Sequence, residues 1–274
     1  MPELPEVETM VRGLRGHLVG RQITSARLSH DNLLEGVTRT GLVRGLRGRT
    51  ITDVTRRAKH ALIHTDTRIL AAQPGMSGGL EWLKGPRTGE VAHYDVLTCT
   101  LDNGSVMIYR DVRRIGTLRW ATPMEWDEYA SRLGPEPLDP TFTPALFAGR
   151  LGASRAAIKK VLMDQRFVVG VGNIYANEAL FAAGIDPSKA ANLVPRPQLE
   201  LLHTHVVRIL AHAIEREGTT LRDYRTPSGA TGEFKEELLV YDRGGEPCRV
   251  CGTTLAMTQD IDNRQTVFCW RCQG

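Results

Sequence analysis

No stretch of this 274-residue chain approaches the roughly 18 consecutive apolar residues that a membrane-spanning helix needs. The N-terminus is acidic and has no apolar core of the kind an export signal carries, so a cytoplasmic location is the expectation. Internal repeats and low-complexity runs are missing, which argues against solenoids and disordered tails. Neither sign of charge dominates. The 35 basic and 31 acidic residues leave a net charge of +4 and a pI near 8.9, which permits a polyanionic partner without requiring one.

What is present is an ordinary soluble composition, 41% hydrophobic and 24% charged, in a chain long enough to bury a real core and expected to divide into two domains. Arginines gather at Arg44, Arg47, Arg49, Arg56 and Arg57 and again at Arg110, Arg113 and Arg114. Taken singly, each cluster reads as a solvated face.

Cysteine is scarce, but four of the five residues fall as Cys248-x-x-Cys251 and Cys269-x-x-Cys272, with seventeen residues between the pairs. That spacing suits four thiolates around one Zn²⁺, with each pair on a tight turn. A pair of disulfides is the alternative, disfavoured by a cytoplasmic location. Four thiolates leave no open coordination position, so the metal is structural, folding a segment that has little core of its own. Short strands are expected at Thr253–Met257 and Gln265–Phe268, turning at Asp262-Asn263 and holding Arg264 outward for phosphate or developing charge. Cys99, in an apolar strand, reads as plain core.

The chain opens Met1-Pro2-Glu3-Leu4-Pro5-Glu6-Val7-Glu8. Removal of Met1 would leave a secondary amine at Pro2, able to attack an electrophilic carbon and hold it as an iminium ion. An α-amino group titrates near ~8, so much of it is unprotonated at neutral pH. Glu3 and Glu6 supply candidate proton donors and acceptors. Equally, Pro2 could only begin a helix, where proline and early glutamates are favoured.

Apolar positions at Val7, Val11, Leu14 and Leu18 predict a helix over 3–19, stopped by Gly20. From 21 to 120 the pattern turns strand-like, at Gln22–Leu28, Thr50–Val54, Ala61–His64, Arg68–Ala72 and Val96–Leu101, with a hairpin at Asp102-Asn103-Gly104 leading into Ser105–Tyr109. This is an antiparallel β domain with one leading helix. The run 133–140, with three prolines and Gly134, breaks regular structure and marks a domain boundary. Beyond it helices are expected at Thr143–Gly149, Arg155–Asp164, Asn173–Ala183 and Gln198–Glu217. Two glycines before Asn173 put a helix N-terminus where a phosphate could sit.

Pro-Glu-Leu-Pro-Glu-Val-Glu at the start, Val-Gly-Asn-Ile-Tyr-Ala in the middle and a four-cysteine finger at the end together resemble, over the whole chain, the bacterial formamidopyrimidine-DNA glycosylases. The resemblance implies an α+β chain: a β-sandwich with a leading helix over 1–133, a helix-two-turn-helix domain over 134–240 and a zinc finger over 241–274. It implies a monomeric, bifunctional base-excision-repair enzyme that acts on double-stranded DNA containing oxidised purines, with no nucleotide cofactor. Carried over residue by residue, Pro2 is the nucleophile, Glu3 the partner acid and Glu6 a supporting carboxylate. Lys59 contacts the lesion phosphates and assists catalysis, and Arg264 grips the flanking phosphate. His93, Arg155, Asn173 and Tyr241 are further DNA contacts, and residues 219–231 match a loop that closes over the flipped base. Met76 and Arg113 fill the hole that the extruded base leaves.

Two departures stand out. Gln73 and Pro74 replace the family's histidine and leucine before Gly75-Met76-Ser77-Gly78, which is expected to weaken a phosphate contact and to alter the loop carrying Met76. Ile115 replaces a phenylalanine beside Arg113 and Arg114, so a wedge remains without a ring to stack. Two rivals stay in view: a sister enzyme preferring oxidised pyrimidines, against which Leu4 argues, and a lesion-binding protein without catalysis, against which Pro2, Glu3 and Lys59 argue.

Overall fold

The computed structural model describes residues 1–87, 89–219 and 232–274. The chain divides into two compact units, Met1–Ser131 with Arg216–Glu233, and Arg132–Glu215 with Phe234–Gly274. The helical segment and the finger, separate domains by sequence, thus cluster as one unit. The stretch 216–233 joins the N-terminal unit.

In the first unit, helix α1 (Leu4–Leu18) starts where expected and buries Val7, Val11, Leu14 and Leu18. Two four-stranded antiparallel sheets follow. One has the order β1-β6-β7-β5, from Ile23–Leu28, Asp95–Leu101, Val106–Asp111 and Gly78–Leu83. The other has the order β2-β3-β4-β8, from Ile51–Arg57, His60–Thr65, Ile69–Gln73 and Thr117–Ala121.

Period-two alternation turns one face of each sheet inward. Leu97, Cys99 and Leu101 of β6 meet Ala61 and Ile63 of β3 and Leu70 and Ala72 of β4 in a single core. The opposite face of the second sheet, at Leu62, Ile69 and Ala71, is covered by Trp126. Full burial of each large aliphatic side chain contributes about 1.5–3 kcal/mol. Cys99 is indeed core, and burial alone pushes its thiol up to about 12.

Besides the leading helix, the same unit contains two helices that the sequence patterns did not reveal, α2 (Arg39–Leu46) and α3 (Pro123–Ala130). In α2 only Leu42 and Leu46 are buried and two glycines interrupt it, so its period is faint. α3 does carry a written start signal. Thr122 accepts the Glu125 amide at 3.2 Å, and Glu125 accepts the Thr122 amide at 2.7 Å, a reciprocal capping box.

The second unit contains α4 (Pro144–Leu151), α5 (Ile158–Met163), α6 (Asn173–Ala182) and α7 (Arg196–Glu215), with the finger strands β9 (Ala256–Thr258) and β10 (Thr266–Phe268). Among the described residues no helix is long and apolar enough to cross a membrane.

Candidate active site and metal centre

Pro2, Glu3 and Glu6 are buried at the head of α1, while Met1 is half exposed. The Glu6 carboxylate accepts two backbone N–H groups: Glu3 at 2.7 Å on Oε2 and Thr219 at 2.8 Å on Oε1. Glu6 therefore does more than the sequence suggested. It fixes the amide directly behind Pro2 and also the stem of the 216–233 segment, which closes through a Thr219–Glu233 bridge. Gly218 makes this approach possible: its φ is +83°, and a Cβ there would stand 2.9 Å from Glu6 Oε1. Apart from Thr219, the expected lesion-covering loop 219–231 lies outside the described residues.

Lys59 lies in the β2–β3 turn, 5% exposed. Ala58 beside it takes a left-handed φ of 55°. Arg56 holds the turn from both sides, donating to the Ala58 carbonyl at 2.9 Å and to Glu8 of α1 at 3.0 Å. The turn is thereby tied to the helix that begins beside Pro2.

Met76 and Arg113, 37 residues apart in sequence, are brought together on this unit, with Ile115 two residues beyond Arg113. Arg113 Nη1 lies 3.6 Å from Met76 Sδ. Met76 is 41% and Ile115 52% exposed. His93, also exposed, accepts a 3.4 Å contact from Arg114. Gln73 turns to the buried His60, as does the Tyr129 hydroxyl at 3.3 Å. Burial outweighs these partners and lowers His60 to about 4.

The second unit holds the other candidates. Asn173 begins α6, and its Nδ2 donates to the Gln265 carbonyl at 2.9 Å, so part of its donor capacity braces the finger hairpin. Asn177, one turn on, accepts the Val267 amide at 2.7 Å and donates to the Asn173 carbonyl at 2.6 Å. Glu178 accepts the amides of Leu239, Val240 and Tyr241 at 2.8, 3.0 and 2.8 Å, which sets the backbone at Tyr241.

Arg264 is exposed in the β9–β10 connection, where its amide donates to Asp262 at 3.2 Å. Beneath it Lys159, with no exposed surface, contacts Asp262 at 3.3 Å, the Gln265 carbonyl at 3.4 Å and the Thr266 hydroxyl at 2.6 Å. Sequence reasoning missed Lys159, Asn177 and Glu178. Three polar residues on otherwise apolar helix faces were the available signal. Arg155 is exposed in the α4–α5 loop.

The four finger cysteines are all free, and their sulfurs lie within 4.8 Å of one another. A Zn–S bond of about 2.3 Å puts tetrahedral sulfurs about 3.8 Å apart, so the cluster fits one zinc ion closely. Burial and the adjacent thiols push Cys272 up to about 12, crowding that a divalent cation relieves by taking the thiolates.

Sequence comparison agrees with this geometry along the whole chain. Residues 1–118 match the formamidopyrimidine-DNA glycosylase N-terminal domain, 133–225 the formamidopyrimidine-DNA glycosylase H2TH domain, and 245–274 a zinc finger found in FPG and IleRS. Formamidopyrimidine-DNA glycosylase of Xanthomonas campestris pv. campestris (strain B100) is 47% identical over 274 residues, all of both chains. That of Photobacterium profundum is 40% identical over 273 residues, again covering 100% of each. Lactococcus lactis FPG, solved with a FAPY-dG containing DNA, superposes with a TM-score of 0.89 at 33% identity over 99% of both chains. MutM (FPG) of Thermus thermophilus gives 0.88 at 34%, over 100% of this chain and 99% of that one.

Fold and site thus define a zinc-finger DNA glycosylase. Within that class, the chain belongs to the formamidopyrimidine-DNA glycosylase family. Its four-cysteine cluster is a structural zinc site.

Proposed function

We propose that this protein is a bifunctional glycosylase and abasic-site lyase of base excision repair, acting in the cytoplasm at the nucleoid on double-stranded DNA that contains 8-oxoguanine or formamidopyrimidines. The observation that carries this is the buried Pro2 at the head of α1, preceded by one exposed residue, with Glu6 fixing the amide behind it. Once Met1 is removed, the Pro2 nitrogen attacks C1′ of the damaged nucleotide, the base leaves with the bonding pair, and the C1′–O4′ bond opens to the iminium as Glu3 helps protonate O4′. The resulting iminium acidifies the C2′ proton. Its loss expels the 3′ phosphate, and a second elimination expels the 5′ phosphate.

Lys59, Arg264, His93, Arg155, Asn173 and Tyr241 hold backbone phosphates, which makes binding salt-dependent. Met76, Arg113 and Ile115 enter the duplex where the base has left, and the Arg113 fork pairs with the orphaned cytosine. The exposure of all three and the contact between Arg113 and Met76 support that role.

Borohydride trapping tests the assignment. Wild-type protein is expected to form a covalent adduct with an 8-oxoguanine duplex, and Pro2→Gly none at matched DNA occupancy. Equal trapping by both proteins would refute the nucleophile. Cutting confined to an oxidised-thymine duplex would overturn the substrate class.

A further inference from the structure

Strand β7 ends at Asp111, whose side chain has no exposed surface. Five donors converge on its carboxylate. Oδ1 accepts the Ser77 hydroxyl at 2.7 Å and the Arg113 amide at 3.2 Å. Oδ2 accepts the amides of Ile115 at 3.1 Å and Gly116 at 2.9 Å, and the Tyr109 hydroxyl at 3.4 Å. Ser77 Oγ in turn accepts the Arg113 amide at 2.8 Å, and the Tyr109 hydroxyl accepts the Gly75 amide.

Two loops distant in sequence, 74–78 and 112–116, are therefore stapled to one buried anion. They also touch without intervening side chains: a Cβ on Gly75 would stand 2.7 Å from Ile115 Cγ1, and one on Gly78 would stand 2.8 Å from the Tyr109 hydroxyl. The outward side chains of these loops include Met76, Arg113 and Ile115.

We propose that Asp111 is a positioning residue for lesion extrusion, holding Met76, Arg113 and Ile115 as one preformed wedge. This role rests on the proposed entry of those three side chains into the duplex. Unstacking and unpairing a base is uphill, and a wedge that must first be ordered adds its own entropy to the barrier. A carboxylate that orders both loops during folding removes that addition. Cleavage at a preformed abasic site has no base to unstack, so it depends far less on the wedge. Asp111 touches neither the sugar nor Pro2 in this scheme and acts only through the loops.

The test compares two single-turnover reactions in one duplex context, excision of 8-oxoguanine opposite cytosine and cleavage of a preformed abasic site opposite cytosine. A 2-aminopurine beside the lesion reports opening of the pair independently of chemistry. Weakening hydrogen bonds to a buried anion is expected to slow both excision and opening about 30-fold in Asp111→Asn and about 5-fold in Ser77→Ala, with abasic cleavage within about 3-fold of wild type. An equal loss in both reactions, or no loss in excision, would overturn the proposal.

If Asp111→Asn does not fold, Ser77→Ala decides alone by the same ratio, since it removes one donor and leaves the anion otherwise satisfied. A wild-type protein that cuts neither duplex would overturn the proposed function and this inference with it, a result distinct from an unselective loss in the variants.

Discussion

The N-terminal sandwich and the zinc finger hold their functional side chains by opposite means. In the sandwich a large apolar core, drawn from both sheets and α1, provides the stability, and buried carboxylates are added at its margin to aim backbone amides. In the finger the apolar cluster is Phe181, Val240, Leu255 and Val267 with two of the cysteines. Cohesion there comes from the metal and from polar hubs on the helices beside it. Where hydrophobic burial is plentiful, charge is free to serve the site. Where it is scarce, charge and metal must first make the fold.

Three measurements would break or sharpen that contrast. The largest effect is expected from the metal. Stripping zinc, or Cys269→Ser, should remove about 10 kcal/mol or more of folding free energy from the finger and abolish DNA binding, while thermal unfolding of the first unit stays unchanged. Undiminished affinity after verified zinc loss would erase the distinction.

Next comes Lys159. Lys159→Ala leaves Asp262, itself only 7% exposed, without its cation and should cost about 3–5 kcal/mol in denaturant unfolding of the second unit. Lys159→Met paired with Asp262→Leu should recover much of the loss, because a packed apolar pair needs no compensation. A Lys159→Ala protein as stable as wild type would show that the hub is ornamental.

The smallest effect concerns His60 in the sandwich. Its folded pKa of about 4 lies below the ordinary 6.5, so the unfolded chain takes up the proton first as pH falls. Stability from this residue is complete above pH 7 and declines between about 6.5 and 4, by about 2 kcal/mol at pH 5. The stability difference between wild type and His60→Phe, followed from pH 7.5 to 4.5, should shrink accordingly. A flat difference would mean the imidazole is not buried as described.

Sequence patterns read best where one period or one spacing carried the answer. The α1 stripe, the Asp102-Asn103-Gly104 hairpin and the paired cysteines were legible because each depends on local geometry. β5 and β8 were not: Gly78 and Gly79 hide the start of one, and the other is five residues long with two residues buried, Leu118 and Trp120. The candidate nucleophile was visible as a residue type, and the candidate wedge residues only through the family resemblance. Their supports were not, since Asp111, Asn177, Glu178 and Lys159 acquire meaning only through partners brought together by folding. The fate of Gln73, turned to His60, was invisible for the same reason.

Glu6 joins two events that are usually described apart. One carboxylate bonds the peptide next to the imino end and the peptide at the root of the 216–233 excursion, so neither can shift without disturbing the other's acceptor. Whatever free energy a rearranged root lends to a well-aimed terminus, an aimed terminus returns to the root in equal measure. Under the proposed mechanism, the aim of Pro2 and the arrangement of the segment root are therefore set jointly by this one carboxylate.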